Sequence, residues 1–322
     1  MGRAARCVRG MGAFVNPLRS LILAAAGNDV IRRAVATAPV SRDVVRRFVA
    51  GETTADAIGV TRELVSAGLT VTLDYLGEDT TDAALAEQTV RAYEELLDAL
   101  ADAGLAARAE VSVKLSAVGQ LLDEDLALGN AGRICSAAKR AGTTVTLDME
   151  DHTTTDSTLR VLAELRRTWP WVGAVLQSYL HRTEDDCARL AGAESRVRLC
   201  KGAYAEPAEV AFGDALDVDR SYVRCVNVLL AGEGYPMFAT HDPRLVPIVD
   251  ARADFHGRKP GSFEYQMLYG IRPEEQRRLA ALGHTVRVYV PYGVQWYGYL
   301  MRRLAERPAN TTFFLRALTS RR

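Results

Sequence analysis

Tyr299, Arg302, Arg303 and Glu306 recur at i, i+3, i+4 and i+7 within YVPYGVQWYGYLMRRLAERPAN, residues 289–310. On a helix that spacing places one phenol, two guanidinium groups and one carboxylate on a single face. Two neighbouring Arg beside a Tyr form a fork suited to a small carboxylate. A solvated amphipathic helix with an internal Arg/Glu pair has the same pattern, so the remaining polar groups must decide. Upstream, short apolar runs repeatedly end in ionisable or amide side chains. These are Asp74 with Glu78, Lys114, Asp148 with Glu150, Gln177 with Tyr179, Arg198 with Lys201 and Tyr204, His241 with Asp242, Glu264 with Gln266, and Tyr289. Each alone is the kind of residue that pairs with a neighbour; together they need a ligand or a dense network.

The cations Lys114 and Arg198 suit a phosphate or an electron-rich ring that gains negative charge on reaction. Gln177, Asp148 and His241 suit a heteroaromatic edge or a ribityl chain. Asp151/His152 and His241/Asp242 are adjacent pairs with no third partner at metal-ligand spacing, so no metal is expected. A serine nucleophile elbow is also missing. The residues alone therefore reach an enzyme with a polar cofactor and a carboxylate substrate. Two other classes stay open: an aldolase-type lyase using Lys114 or Lys201 as a Schiff-base nucleophile, and a barrel that binds a ligand without catalysis.

The elements that must position these groups are legible as a rhythm. From residue 51, β-rich runs alternate with helical ones: TADAIGVTRELVSAG then LTVTLDYLG, AEVSVKLSAVG then a helix over about 122–141, TTVTLDME then 155–169, and WVGAVLQSYL then a helix from Thr183. SRVRLCKGAY, PMFATHD, GSFEYQMLYG and TVRVYVPYG continue the series, each followed by a helix. Eight such units in about 250 residues predict a (β/α)8 barrel of TIM type, whose chemistry sits where strands end and loops begin. A doubly wound sheet would show a Gly-rich fingerprint after its first strand, and LDYLGEDT is not one. The expected organisation is a helical amino-terminal segment over 1–50, a catalytic barrel over 51–322, and a final helix closing over the barrel mouth.

The chain of 322 residues carries 40 basic and 40 acidic groups, which offers nothing to nucleic acid. Cys7, Cys135, Cys187, Cys200 and Cys225 are odd in number and unpaired in spacing, pointing to a reducing, cytoplasmic compartment. No apolar run approaches the roughly 18 residues of a membrane span. Residues 1–50 hold nine Arg against two Asp, an excess that favours an anionic membrane surface or a solvated basic face.

VSVKLSAVG, TLDMED, LQSYLHRTEDD, RLCKGAY, FATHD, FEYQMLYGIR and YVPYG with YLMRRLAERPAN together resemble the flavin-dependent proline dehydrogenases, both the small bacterial enzymes and the matching domain of bifunctional proline-utilisation proteins. The resemblance runs from about Thr72 to Phe314, with the motifs in family order. It implies non-covalent FAD, oxidation of L-proline to 1-pyrroline-5-carboxylate by hydride transfer from C5 to flavin N5, and a membrane quinone as acceptor, hence peripheral membrane contact. It also implies a functional partnership with a 1-pyrroline-5-carboxylate dehydrogenase. Carried over by position, Lys114 contacts substrate near the flavin and Arg198 approaches flavin N5. Asp148, Gln177, Lys201, Gly202, Ala203, Tyr204, Thr240, His241 and Glu264 line the cofactor path. Tyr289, Tyr299, Arg302 and Arg303 enclose proline, with both Arg on its carboxylate. Asp74 and Glu78 follow the family's first-strand motif, and Glu78 is expected to latch to Arg302 as a lid. Tyr289 stands where a large aromatic crowds a ring hydroxyl, favouring proline over hydroxyproline. Arg307 departs from the Asn common among relatives, and Cys200 replaces a common aliphatic residue.

Overall fold

The computed structural model describes residues 45–306, with side chains through residue 301. The segment expected over 1–50 lies almost wholly outside the described residues. The chain divides into two compact units, Arg46–Trp296 and a second joining Met1–Val45 to Tyr297–Arg322. Within the first, the elements alternate: α1 Thr54–Ser66, β1 Thr70–Tyr75, α2 Ala83–Asp102, β2 Ala109–Val113, α3 Glu124–Ala141, β3 Val145–Leu147, α4 Thr155–Arg166, β4 Ala174–Gln177 and α5 Thr183–Leu190. β5 Arg196–Cys200, α6 Ala215–Ala231, β6 Tyr235–Ala239, α7 Leu245–Phe255, β7 Glu264–Leu268, α8 Pro273–Ala281 and β8 Thr285–Tyr292 follow, and α9 Trp296–Glu306 leads into the second unit.

Local chemistry sets the helix starts. Thr53 and Asp56 form a reciprocal capping box before α1. Asp82, Asp123 and Asp214 cap α2, α3 and α6 by accepting a backbone N–H. Gly142 closes α3 in the left-handed conformation.

All eight strands are parallel, in the order β3-β2-β1-β8-β7-β6-β5-β4. The ends of this sheet meet through one parallel bridge, Thr146 to Gly173, so the barrel closes at a thin seam between β3 and β4. A Cβ on Gly173 would lie 2.6 Å from the Thr146 hydroxyl, which is why the close approach there needs glycine. The outward strand faces, with Val71, Leu73, Val111, Val113, Leu199, Phe238, Tyr265, Val286 and Val288, pack under the helices as one continuous core. α2 lays Val90, Tyr93, Leu96, Leu97 and Leu100 on it, each such side chain stabilising the fold by about 1.5–3 kcal/mol at most. The Tyr93 hydroxyl donates to the Ser112 carbonyl at 2.6 Å and accepts the Tyr75 N–H at 3.2 Å, fastening β1 to β2.

The inward faces are polar along much of their length, unlike the branched aliphatic layers usual in such barrels. Their floor is an ion network. Arg287 Nε lies 2.6 Å from Glu264 and 3.7 Å from Glu110, and Arg196 Nη2 lies 2.7 Å from Glu110. Burial works to raise the Glu110 pKa, but Arg196, Arg287 and Arg198 outweigh it and hold the carboxylate ionised, well below its ordinary range.

Candidate active site

Above the floor, at the carboxyl ends of the strands, five of the expected residues meet. Lys114 immediately follows β2, and its Nζ is held by both oxygens of Asp74 on β1, at 3.0 and 2.9 Å. Arg198 on β5 reaches across the barrel to Asp148, just after β3, at 2.6 Å and to the Ser112 hydroxyl at 3.0 Å. Ser112 in turn donates to Asp148 at 2.7 Å, and the Tyr289 hydroxyl on β8 donates to the other Asp148 oxygen at 2.7 Å. The Arg198 guanidinium carbon sits 5.3 Å from the Tyr289 ring centre, a cation–π contact that also orients the ring.

Burial opposes the Lys114 ammonium, yet Asp74 and then Asp148 overcome it and raise its pKa, so the side chain is a fixed cation. Burial, with help from the Asp148 charge, raises Asp74 against the pull of Lys114. Burial and the Asp148 and Asp74 charges push the Tyr289 phenol far above its usual value, keeping it a donor. Arg198 is only 4% exposed, and its Nε and Nη2 have no hydrogen-bond partner. Nη2 faces the floor carboxylate Glu110 at 3.9 Å, so Nε is the donor left with no acceptor, and a buried polar group without a partner calls for an explanation.

Around this centre the rim carries the other expected groups. Gln177, at the end of β4, donates to the Glu150 carbonyl at 2.7 Å. Glu78, half-buried after β1, is near enough for its charge to support the Lys114 cation. Lys201 pairs with Asp219 at 2.5 Å and Asp242 at 3.0 Å. Gly202 has φ +108 and a Cβ there would lie 2.2 Å from the Tyr179 ring, while Ala203 and Tyr204 are exposed. The Thr240 hydroxyl accepts the Asp242 N–H at 3.1 Å, and His241 Nε2 accepts the Leu268 N–H at 2.8 Å. Tyr299 belongs to the second unit, on α9, and is 7% exposed; it is not among the residues of the barrel unit described above. The side chains of Arg302 and Arg303 lie outside the described residues, as does that half of the expected Glu78 latch. Among the described residues no group of three or more His, Cys, Asp and Glu is disposed to hold a metal ion.

Glu264 does not belong with this set. It is the first residue of β7, fully buried in the floor, where Arg287, Gln266 and Tyr235 take up its oxygens. Three neighbours of the site network escaped the sequence reading: Ser112, which bonds both Arg198 and Asp148, and, in the floor, Glu110 and Arg196. Their signal is the period-two run of polar residues in Glu110-x-Ser112-x-Lys114 and Arg196-x-Arg198, which marks one inward face.

Fold and site together define a (β/α)8-barrel enzyme with a buried, ion-paired cationic centre at its carboxyl-terminal mouth. The proline dehydrogenase family model matches residues 57–316. A proline dehydrogenase of Deinococcus radiodurans is 43% identical over 281 residues, covering 86% of this chain and 90% of that protein. Proline dehydrogenase 1 of Bacillus subtilis is 39% identical over 273 residues, covering 85% and 90% respectively. Among solved structures, proline utilization A from Bdellovibrio bacteriovorus, inactivated by N-propargylglycine, superposes with a TM-score of 0.77 at 25% identity. That match covers 87% of this chain and 34% of the longer protein. The chain belongs to the proline dehydrogenase family.

Proposed function

We propose that this enzyme oxidises L-proline to 1-pyrroline-5-carboxylate with FAD, and that the electrons pass to a membrane quinone. The observation that supports the cofactor reading is Arg198, a buried cation held by Asp148 and stacked on Tyr289 near the carboxyl ends of the strands, with its Nε left without a hydrogen-bond partner. Gly202 shapes this segment, since its φ of +108 and the Tyr179 ring packed where a Cβ would sit both require glycine. Arg198, Gln177, Lys201 to Tyr204, Thr240 and His241 would hold the flavin, with Asp148 supporting Arg198. When bound, the flavin supplies the two-electron acceptor for the C5 hydride.

The chain's own residues do the rest. Arg302 and Arg303, on one face of α9, hold the proline carboxylate; Tyr289 and Tyr299 pack its ring. Proline reacts as the free amine, because a protonated nitrogen has no lone pair to expel hydride from C5. Lys114, kept charged by Asp74, and Arg198 stabilise negative charge that develops on the acceptor side. Glu78 pairs with Arg302 to shut the site while substrate is bound. The product, a cyclic imine acid, is passed to a 1-pyrroline-5-carboxylate dehydrogenase. Lys114 clamped as an ammonium is a poor Schiff-base nucleophile, and Lys201 is engaged by two carboxylates.

The test is an absorption spectrum of purified protein before and after anaerobic proline. A flavin spectrum bleached by proline supports the reading. Protein that stays colourless after FAD is added, or flavin that proline does not bleach, refutes it; borohydride trapping of substrate on Lys114 or Lys201 would establish the lyase instead.

A further inference from the structure

β1 pairs with β8 over six registered residues, from Thr70 with Arg287 to Tyr75 with Tyr292, whereas β3 and β4 meet only at Thr146 and Gly173. The rim above this seam is therefore held by side chains. One carboxylate spans it. Glu206, in the loop after β5, accepts the backbone N–H of His152 at 3.0 Å and the hydroxyl of Tyr179 at 3.0 Å, and it pairs with Nδ1 of the His152 ring. His152 follows β3 and Tyr179 follows β4, so a single acid from a third loop ties both edges of the seam.

The setting of Glu206 marks this as more than a surface pair. Its side chain is 3% exposed, although residues 203–205 before it are exposed. A carboxylate is buried on such a loop only where its hydrogen bonds offset the loss of hydration. The same loop is stitched to β4 by backbone bonds from Tyr179 N–H to the Lys201 carbonyl and from Phe212 N–H to the Tyr179 carbonyl, 2.9 and 2.8 Å. Gly202 lies against the Tyr179 ring that Glu206 anchors.

We propose that Glu206 is a positioning residue that clasps the β3/β4 seam and thereby sets the Lys201–Tyr204 segment in the conformation that receives the cofactor. The inference rests on the flavin reading above. Its consequence is pre-organisation: without the clasp, the loop must be ordered at the expense of binding energy.

The test titrates FAD into apoprotein of the wild type, Glu206→Ala, Glu206→Gln and Tyr179→Phe, reading Kd from fluorescence quenching and folding from circular dichroism and apoprotein melting. Glu206→Ala should raise the FAD Kd about tenfold. Glu206→Gln, which keeps a carbonyl acceptor for the His152 N–H and the Tyr179 hydroxyl, should recover part of that loss. Tyr179→Phe removes one hydroxyl alone, and its Kd should rise about threefold even if Glu206→Ala fails to fold. Unchanged FAD Kd in the folded variants overturns the proposal, and a lowered melting point with unchanged Kd means the clasp is merely structural. A wild-type apoprotein that folds but does not bind FAD refutes the flavin reading itself, and the proposal with it.

Discussion

Replacing Asp148 by Asn deletes the charge at the centre of the site while keeping its shape. In the native barrel this carboxylate accepts from Arg198 at 2.6 Å, Ser112 at 2.7 Å and Tyr289 at 2.7 Å. Arg198 already leaves Nε and Nη2 without a hydrogen-bond partner, and its next carboxylate, Glu110, is 3.9 Å away. Losing Asp148 thus strands a buried cation, which should cost about 3–5 kcal/mol. Arg198→Met should cost less, about 1–3 kcal/mol, because Asp148 would keep the Ser112 and Tyr289 donors. In the double variant neither charge is left stranded, so its cost should fall below the sum of the singles by about 1–3 kcal/mol. Urea unfolding of the apoproteins, with cofactor removed so that binding does not add to stability, measures all three. Single-variant costs that add within about 0.5 kcal/mol, or an Asp148→Asn cost smaller than that of Arg198→Met, would refute the claim that this ion pair is strongly coupled and asymmetric.

Glu264→Gln should lower stability by about 3 kcal/mol or more, by leaving Arg287 underpaired in the floor, while FAD affinity of the folded protein stays unchanged; a selective loss of FAD binding would return Glu264 to the cofactor site. Arg302→Met and Arg303→Met should each weaken proline binding by about 2–5 kcal/mol with flavin content intact, read as KM against the flavin-to-protein ratio; native KM in either variant removes that Arg from the carboxylate clamp. Burial raises the Glu150 pKa, outweighing the bonds it accepts from Ser116, so the folded protein retains a proton there that the unfolded chain releases. This contribution favours folding below the ordinary carboxyl range and is lost as pH rises through the raised value. The melting-temperature difference between wild type and Glu150→Gln should accordingly shift against the wild type from acid towards neutral pH, and a difference that moves the other way contradicts the assigned direction.

Much of the fold was readable from one dimension because parallel strands and their covering helices impose different periods. Runs such as TVTLDY and the spacing of Tyr93, Leu96, Leu97 and Leu100 announce β1 and α2 directly. Lys114, Asp148, Arg198 and Tyr289 could be picked out because each is a polar group within or just after an apolar run. What the sequence lacks is a marker for which end of a strand faces which way. Side chains two apart share the inward face, so Glu264, Gln266 and Leu268 are equivalent by pattern, yet only the carboxyl-terminal end reaches the mouth. Glu264 fell on the floor for that reason.

Composition and periodicity determined that eight strands would close into a barrel whose strand ends carry ionisable and amide groups. Which charges neutralise one another was decided by the barrel's stagger, which brings Arg198 of β5 to Asp148 after β3 and Arg287 of β8 to Glu264 of β7. Glu206 is the sharpest case: nothing in its neighbours distinguishes it from a solvated loop acid. Its role arises because the sheet's two ends meet between β3 and β4 and leave a seam for the third loop to fasten. Pairings between residues 50 or more apart in sequence exist only once closure sets strand register, since register is a property of the whole ring.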